Sequence, residues 1–305
     1  MKIAIEVPGS TSNLGPGFDC LGMALDALLH VEVEALPHRG LEIRVGGPHA
    51  HDLPTQSDNL VYATLLRVLR RRGVEPPGLR LRMQNAIPVA RGLGSSGAAI
   101  VAGVVAGRLL CGEAALDRDE LTAEAAAIEG HPDNVAASVH GGAVVAASVD
   151  GHVHSTRLPI PPDLRMLLLI PDHPVSTQEA RAILPPQVAL EDVVFNLARM
   201  GSLCAALALG DPHSLKMAMQ DRLHSRHRLA LVPGLAEALE SLLQESGCRA
   251  ATISGSGPTL IAFFDEYPAH AGRAAARLLQ RHGVRSRIQS ARPRAHGARW
   301  THEPG

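Results

Sequence analysis

A glycine- and serine-rich stretch, PVARGLGSSGA at residues 88–98, carries the clearest chemical signal in the sequence. Gly92 and Gly94 let the backbone turn tightly and come close to a ligand, while Ser95 and Ser96 stand where the following apolar segment would begin a helix. Unpaired N–H groups and the positive end of the helix dipole suit such a helix start to a phosphate. The Gly-Lys-Ser/Thr ending of a P-loop is absent, and this stretch alone leaves open a plain glycine turn that caps a buried helix.

The composition argues against several classes of partner. The formal net charge is -1 and aromatic residues make up 2% of the 305 residues, so neither a basic field nor a stacking surface for nucleic acid is expected. The longest apolar run, 98–107, is shorter than the roughly 20 residues of a membrane span, and no signal-peptide pattern is present. Cysteines at positions 20, 111, 204 and 248 are far apart, which favours reduced thiols. We therefore expect a cytoplasmic protein with no nucleic-acid or membrane partner.

Alternating strands and helices must hold the glycine–serine stretch in place. HVEVEAL and LEIRVGG, separated by PHRG, predict a hairpin, and LRLRM predicts a strand directly before the stretch. Strands are also predicted at the N-terminal KIAIEV, which leads into a loop at Pro8, and at GGAVVAASV, RMLLLI and 284–289. One predicted helix, about 15 residues long, directly follows the stretch. The other predicted helices cover 59–72, 119–129, 177–184, 192–209, 212–222, 233–246 and 268–282.

The proline-containing segment TRLPIPPDL, residues 156–164, interrupts this pattern. A chain longer than roughly 250–300 residues tends to divide into two domains, and prolines mark a break between regular elements. The sequence therefore predicts one domain over 1–155 and a second over 156–305.

Two His-x-His pairs, His49/His51 and His152/His154, have a spacing that can hold zinc. No third ligand is spaced to complete either site, so we expect surface histidines on loops.

Three motifs, in order along the chain, resemble those of the GHMP kinase superfamily: VPGSTSNLGPGFDCLGMAL, PVARGLGSSGA and ATISGSGPTLIAF. Within it, NLGPGFDCLGMAL, EGHPDNVAASVHGG, STQEARAILP and QDRLH resemble segments of homoserine kinases, and the resemblance covers roughly residues 3–299. It implies an α+β, two-domain GHMP kinase fold. The N-terminal domain would be ribosomal-S5-domain-2-like and ATP-binding, and the C-terminal domain would be an α/β sandwich of the ferredoxin-like type.

The resemblance also implies ATP and Mg²⁺ as cofactors. The glycine–serine stretch would bind the phosphates, Asn59 would lie near the adenine, and Ser96 with Glu129 would hold Mg²⁺. The third motif, 254–259, would fold back onto the phosphate loop. The predicted nucleotide-binding residues are Pro88, Val89, Ala90, Arg91, Gly92, Leu93, Gly94, Ser95, Ser96, Gly97, Ala98 and Asn59.

The substrate that the resemblance implies is L-homoserine, which carries an ammonium, a carboxylate and a primary hydroxyl. Asp19 would pair with the ammonium beside Asn13, and Arg181, with Thr177 nearby, would bind the carboxylate. His131 would lie next to the substrate. Arg228 would be the second cation, although HSRHR leaves Arg226 as an alternative.

Asp133 and Asn134 lie in the loop where other GHMP kinases place a catalytic aspartate. Homoserine kinases are thought to lack a dedicated base, so we expect direct attack by the substrate hydroxyl, with Asn134 as the orienting residue and Asp133 as the base to be tested. The alternatives are another GHMP small-alcohol kinase and a non-catalytic GHMP-fold binding protein. A homodimer is expected from the resemblance alone.

Overall fold

The computed structural model describes residues 1–150, 152–161, 163–266 and 270–303. Pro162, in the predicted boundary segment, and Pro268, the predicted start of the last helix, lie outside these residues, as does the end of the predicted second domain at 304–305. Within the described ranges the chain forms two sheets with helices packed against them.

The larger sheet contains seven strands. They are β1 (Lys2–Asn13), β2 (Gly17–Leu36), β3 (Leu41–Gly46), β4 (Gly78–Asn85), β5 (Ala143–Val149), β6 (His152–Leu158) and β11 (Arg299–Glu303). Their order is β11-β1-β2-β4-β3, with β5 paired to β2 and β6 to β5. β1 continues through the predicted loop at Pro8, where its register with β2 shifts. The bulge redirects the strand without ending it.

The predicted hairpin between HVEVEAL and LEIRVGG is wrong. β4 lies between β2 and β3, antiparallel to the first and parallel to the second. Alternating hydrophobicity identifies strands but does not identify their partners, and ion pairs accompany the insertion of β4. Arg80 of β4 donates to Glu34 of β2 and to Glu42 of β3, each at 2.7 Å.

Four helices accompany this sheet: α1 (Leu60–Arg71), α2 (Ser95–Leu110), α3 (Arg118–Glu129) and α4 (Asp133–His140). α2 begins within the glycine–serine stretch and is buried on nearly all sides. Glycines allow α1 to approach α2 closely, because a Cβ on Gly103 would lie 2.6 Å from Thr64 Cβ and one on Gly107 would lie 2.6 Å from Val68 Cβ. This close packing fixes the position of the N-terminus of α2.

We expect Gly107→Ala to destabilise the protein by about 1–3 kcal/mol, although alanine favours a helix interior over glycine by about 1 kcal/mol. The added methyl group would collide with the rigid Val68 side chain and with the Leu65 carbonyl. Urea denaturation would measure the change. Gly201→Ala is the matched control, since Gly201 lies within the helix Leu190–Leu209 and a Cβ there meets nothing within 4 Å. The packing interpretation would be wrong if both variants were stabilised alike.

The smaller sheet has four strands, β7 (Arg165–Pro171), β8 (Cys248–Ile253), β9 (Leu260–Phe264) and β10 (Ser286–Ala291), in the order β10-β7-β9-β8. Its sequence region also contains α5 (Thr177–Ala182), α6 (Leu190–Leu209), α7 (Leu215–Ala218), α8 (Ser225–Leu229), α9 (Leu235–Gln244) and α10 (Arg273–Arg281). The predicted helix over 212–222 is instead a 3₁₀ turn, Pro212–Ser214, followed by the single turn α7. The Asp221 carboxylate accepts hydrogen bonds from the N–H groups of residues 223–225 and so starts α8 separately.

Two strand pairings involve the predicted division of the chain into two domains. The predicted boundary at 155/156 falls inside β6, which pairs with β5, and β11 returns from the second half of the chain to pair with β1. The division into 1–155 and 156–305 stays a prediction.

α6 presents an apolar face to solvent. Leu190, Val194, Leu197 and Leu209 are 77%, 56%, 68% and 82% exposed. By length and composition alone this helix could cross a membrane, but one such helix is weak support for a span, because helices of water-soluble proteins pass the same test.

The expectation of surface histidines on loops is wrong in both pairs, because His49 is buried and the second pair lies on a strand. His152 and His154 lie on β6, where their spacing of two puts both on one side of the strand. His51 lies in the 3₁₀ turn Ala50–Asp52, which His49 precedes. Neither pair belongs to a metal-type cluster among the described residues.

Candidate active site

A cavity of about 370 Å³ lies where the three glycine-containing motifs meet. Residues of β1 and β2, the segment 88–96, residues 129–134 at the end of α3 and the start of α4, helices α5 and α8, and the turn at 255–256 contribute to its walls. The lining includes two chemical groups. One is the glycine–serine backbone, and the other is a set of charged side chains comprising Asp19, His131, Arg181 and Arg228.

The backbone of the glycine–serine segment is shaped by Gly92 and Gly94, whose φ angles are 70° and 71°. A Cβ on Gly94 would lie 2.2 Å from Ser10 Oγ, and one on Gly92 would lie 2.1 Å from the Ser254 carbonyl oxygen. The first N–H groups of a helix lack intrahelical partners, and Ser95 and Ser96, which carry them here, line the cavity. The segment therefore combines a helix cap with an anion-binding backbone.

The third motif packs directly on this segment, as the resemblance implied. Ser254 Oγ lies 2.6 Å from the Gly92 carbonyl oxygen and 2.8 Å from Thr11 Oγ1. The Gly255 N–H donates to the Ser12 carbonyl at 3.0 Å. These contacts join all three motifs.

Arg91 lines the cavity, but its guanidinium binds carbonyl groups. It donates to the carbonyl oxygens of Pro171 at 2.8 Å, Asp172 at 3.1 Å, and Val89 and Ala90 at 3.2 Å each. Arg91 therefore ties the glycine–serine segment to the end of β7.

Ser96 and Glu129 meet at the cavity wall, where Ser96 Oγ donates to Glu129 Oε1 at 2.6 Å. Ser96 is in the first turn of α2 and Glu129 is the last residue of α3, and Gly130, with a φ of 93°, ends that helix. A hydroxyl and a carboxylate are hard oxygen donors of the kind that Mg²⁺ prefers. The pair fits the predicted metal position.

Asp19 and Arg181, predicted to bind opposite ends of the substrate, bind each other in this structure. Arg181 Nη1 lies 2.9 Å from Asp19 Oδ2 and Nη2 lies 2.7 Å from Oδ1. Asp19 has a positive φ of 57°, and its N–H donates to Asn13 Oδ1 at 3.0 Å. The pair lines the cavity and presents one charge of each sign.

Arg228, and not Arg226, lines the cavity. Arg228 is 3% exposed and donates to the Gly255 carbonyl at 2.9 Å, whereas Arg226 is mostly exposed and pairs with Asp192. Across the described part of the chain no carboxylate forms a salt bridge with Arg228. Burial, followed by the nearby charge of Arg181, lowers the pKa of Arg228 to about 10. It is a buried cation that is still charged at neutral pH.

His131, Asp133 and Asn134 form one hydrogen-bonded group at the start of α4. Asp133 Oδ1 lies 2.6 Å from His131 Nδ1 and accepts from the Asn134 N–H at 2.7 Å. The Asn134 side chain donates to Ser12 Oγ at 3.0 Å and accepts from Ser10 Oγ at 2.9 Å. Burial acts against a charged imidazole, but the hydrogen bond and charge of Asp133, with Glu129 and Asp19, outweigh it and raise the pKa of His131.

Ligand atoms of Asp19, His131 and Asp133 all lie within 4.8 Å of one another, close enough to surround a cation. Arg181 already holds both oxygens of Asp19, and His131 is bound to Asp133. A group that donates hydrogen bonds, such as an ammonium, suits these crowded acceptors better than a metal that must displace the cations.

Three predicted nucleotide contacts do not line the cavity: Asn59, Gly97 and Ala98. Asn59 is 1% exposed and caps α1, accepting from the Val61 N–H at 3.1 Å and donating to the Pro54 carbonyl at 2.8 Å. Its neighbours Asp58 and Leu60 line the cavity in its place. The Ala98 N–H is used within α2. Every other predicted site residue lines the cavity; these are Asn13, Asp19, Glu129, His131, Asp133, Asn134, Thr177, Arg181, Arg228 and residues 88–96.

The sequence did not single out Ser10, Ser12, Phe18 or His224. Ser10 and Ser12 hold Asn134, and Phe18 lies beside both cations, with its ring centroid 5.8 Å from Arg181 Cζ and 5.2 Å from Arg228 Cζ. Their partners are far away along the chain, so no local pattern could have indicated these contacts.

Comparisons with known proteins place this site in a family. Residues 59–142 match the model for the GHMP kinases N terminal domain, and residues 203–285 match that for GHMP kinases C terminal. A homoserine kinase of Moorella thermoacetica is 42% identical over 96% of this chain and 98% of its own length. One from Trichormus variabilis is 38% identical over 97% of this chain and 98% of its own.

Solved structures agree. The crystal structure of homoserine kinase from Cytophaga hutchinsonii superposes with a TM-score of 0.82 at 29% identity, covering 98% of this chain and 97% of the other. Lactococcus lactis galactokinase, at 14% identity and a TM-score of 0.71, covers 98% of this chain and 95% of its own and shows a shared fold alone.

Proposed function

Because the chain belongs to the homoserine kinase family of GHMP kinases, we propose that it is an ATP:L-homoserine O-phosphotransferase. It phosphorylates L-homoserine to O-phospho-L-homoserine, a step toward threonine. The membership confirms the predicted α+β, two-domain GHMP kinase fold. One observation supports the substrate most directly: Arg228, a buried cation with no salt bridge to a carboxylate among the described residues, lies in the same cavity as the Asp19–Arg181 pair.

The charges of the cavity match a zwitterionic amino acid. The substrate ammonium replaces Arg181 at the oxygens of Asp19, and the substrate carboxylate binds Arg181 and Arg228. The ion pair between Asp19 and Arg181 is thereby replaced by ion pairs of each residue with the substrate. A mevalonate-type or diphosphocytidyl-type alcohol has no ammonium, so it would leave Asp19 without this exchange.

The residues also fit ATP and Mg²⁺. The N–H groups at the start of α2 bind phosphate oxygens, and Ser96 with Glu129 would hold Mg²⁺, which neutralises charge on the transferring phosphoryl group when bound. Asn134, fixed by Ser10 and Ser12, orients the homoserine hydroxyl. The hydroxyl oxygen forms a bond to the γ-phosphorus as the bond to the β–γ bridging oxygen breaks, and the hydroxyl proton passes to a phosphate oxygen.

Measuring ADP release from Mg-ATP with homoserine, serine, threonine and mevalonate, each offered separately, tests the proposal. Saturable turnover with homoserine is expected. Turnover with mevalonate and none with homoserine would favour another GHMP small-alcohol kinase, and no turnover with any alcohol would favour a non-catalytic binding protein.

Asp133→Asn should lower kcat by less than about tenfold, equivalent to roughly 1.4 kcal/mol. Asp133 is fully buried and its Oδ1 is already bonded to His131 and Asn134, which suits a positioning role. Steady-state kinetics with both substrates would measure the effect. Abolished turnover with intact binding of ATP and homoserine would instead make Asp133 the base.

The proposal includes a cytoplasmic location, expected from the composition, and a homodimer, expected from the family resemblance. Light scattering of the purified chain tests the dimer; a mass of one chain, 32.1 kDa, across the concentrations assayed would argue against it.

A further inference from the structure

His224 is buried between the two elements that frame the charged part of the cavity. It is 1% exposed and immediately precedes α8, the helix that carries Arg228. Its Nε2 lies 2.8 Å from the carbonyl oxygen of Gly15, in the short connection between β1 and β2. That connection follows Asn13 and precedes β2, which carries Asp19, so His224 links the first motif to Arg228.

The partners of the two ring nitrogens define the tautomer. A carbonyl oxygen can only accept, so Nε2 carries the proton, and the other nitrogen is left as an acceptor. Nδ1 lies 3.4 Å from Arg228 Nη1, a group that can only donate. Burial foremost, with the positive charge of Arg228, lowers the pKa of His224 against the pull of Asp221. The ring is therefore a neutral acceptor for the buried guanidinium.

The surroundings restrict both groups further. The His224 ring packs against Phe18, with centroids 5.2 Å apart and planes inclined at 32°, and Arg228 Cζ lies 5.2 Å from the same Phe18 ring. Gly15 has no room for a side chain, because a Cβ there would lie 2.1 Å from the Met219 carbonyl oxygen. The Asp221 carboxylate, itself buried, accepts from the N–H of His224 at 3.0 Å and holds its backbone. Arg228 thus has few alternative orientations.

From this geometry we infer that His224 is a positioning residue: through Nδ1 it orients Arg228 toward the substrate carboxylate. It does not touch the reacting atoms. The inference rests on the proposed function, since it assigns the carboxylate of homoserine to Arg228.

Two substitutions of His224 each remove one of the two hydrogen bonds that its ring makes, so that their effects can be measured separately. His224→Gln keeps a donor at the place of Nε2 but loses the acceptor at Nδ1, whereas His224→Asn can keep an acceptor at Nδ1 but is too short to reach Gly15. His224→Gln is expected to raise the KM for homoserine about tenfold, with the KM for ATP and kcat changed less than about threefold. His224→Asn is expected to keep the KM for homoserine within about threefold of the unmodified protein.

The sharpest readout is 3-aminopropan-1-ol, which resembles homoserine without the carboxylate. Its inhibition constant against homoserine should be the same in His224→Gln and the unmodified protein, because it makes no bond to Arg228. Equal weakening of both ligands, or an unchanged KM for homoserine in a folded His224→Gln, would overturn the inference. If His224→Gln does not fold, a tenfold rise of the homoserine KM in folded His224→Asn overturns it and a KM within threefold supports it. The unmodified protein in the same assay tests the proposed function separately, through its turnover of homoserine.

Discussion

Glu129→Gln is expected to lower kcat/KM for ATP-dependent phosphorylation of homoserine by about a thousandfold, equivalent to roughly 4 kcal/mol. Glu129 ends α3 with its carboxylate 2.6 Å from Ser96 Oγ, at the start of α2, the helix proposed to bind the phosphates. Glutamine keeps the size and one acceptor oxygen but removes the negative charge that attracts a divalent cation. The Mg²⁺ concentration for half-maximal rate should rise as kcat falls, and a titration of Mg²⁺ at saturating ATP would measure both.

Glu120→Gln is the matched control, because Glu120 lies on the same helix, points to Arg108 and does not line the cavity. Its kinetics should match those of the unmodified protein. A loss of less than about tenfold in Glu129→Gln, with an unchanged Mg²⁺ requirement, would remove Glu129 from the metal position.

Asp19→Asn is expected to raise the KM for homoserine about a hundredfold, equivalent to about 2.7 kcal/mol, while the KM for ATP stays within about threefold. The ammonium of the substrate loses the charge that binds it, and a charged hydrogen bond contributes about 1.5–3 kcal/mol. Asp163→Asn, at an 89% exposed side chain outside the cavity, is the control.

The pairing of Asp19 with Arg181 makes a second, opposite effect part of this prediction. In the unmodified protein an anion must displace Asp19 from Arg181, whereas in Asp19→Asn that guanidinium is unpaired from the start. The inhibition constant of 4-hydroxybutanoate, which lacks the ammonium, should therefore fall. If Asp19→Asn weakened homoserine and 4-hydroxybutanoate equally, Asp19 would act only by shaping the site.

The sequence was sufficient for the chemistry of the site where that chemistry is local. Gly92, Gly94, Ser95 and Ser96 lie within five consecutive residues, and the structure places them at the start of one buried helix, as expected. Gly92, Gly94 and Gly97 also have the Gly-x-Gly-x-x-Gly spacing of dinucleotide-binding loops. Strand order distinguishes a dinucleotide-binding fold from this one, because β4, the strand before α2, and β5, the next strand after it, are not neighbours in the sheet here. Strand order is a tertiary property, so the local sequence does not reveal it.

The remaining predictions depended on contacts between residues far apart in the sequence, which local patterns do not reveal. Arg226 and Arg228 are two residues apart in the sequence and differ only in which side of α8 packs against Phe18 and Gly255. Asn59 has the residue type of a ligand contact, yet its position immediately before α1 makes it a cap. The pairing of Asp19 with Arg181 joins residues 162 positions apart, and nothing in either segment indicated it.

The last strand has a consequence for synthesis of the chain on the ribosome. β11 pairs with β1, so that Lys2 lies opposite Glu303 and Ile3 opposite His302. Translation adds about 5–20 residues per second, so β11 emerges from the ribosome on the order of tens of seconds after β1 has been synthesised. Until then the backbone groups along one edge of β1 are unpaired and can pair with a strand of another chain, which promotes aggregation. A circular permutant that encodes β11 directly before β1 would close this edge at once, and its yield of native protein during translation should be higher.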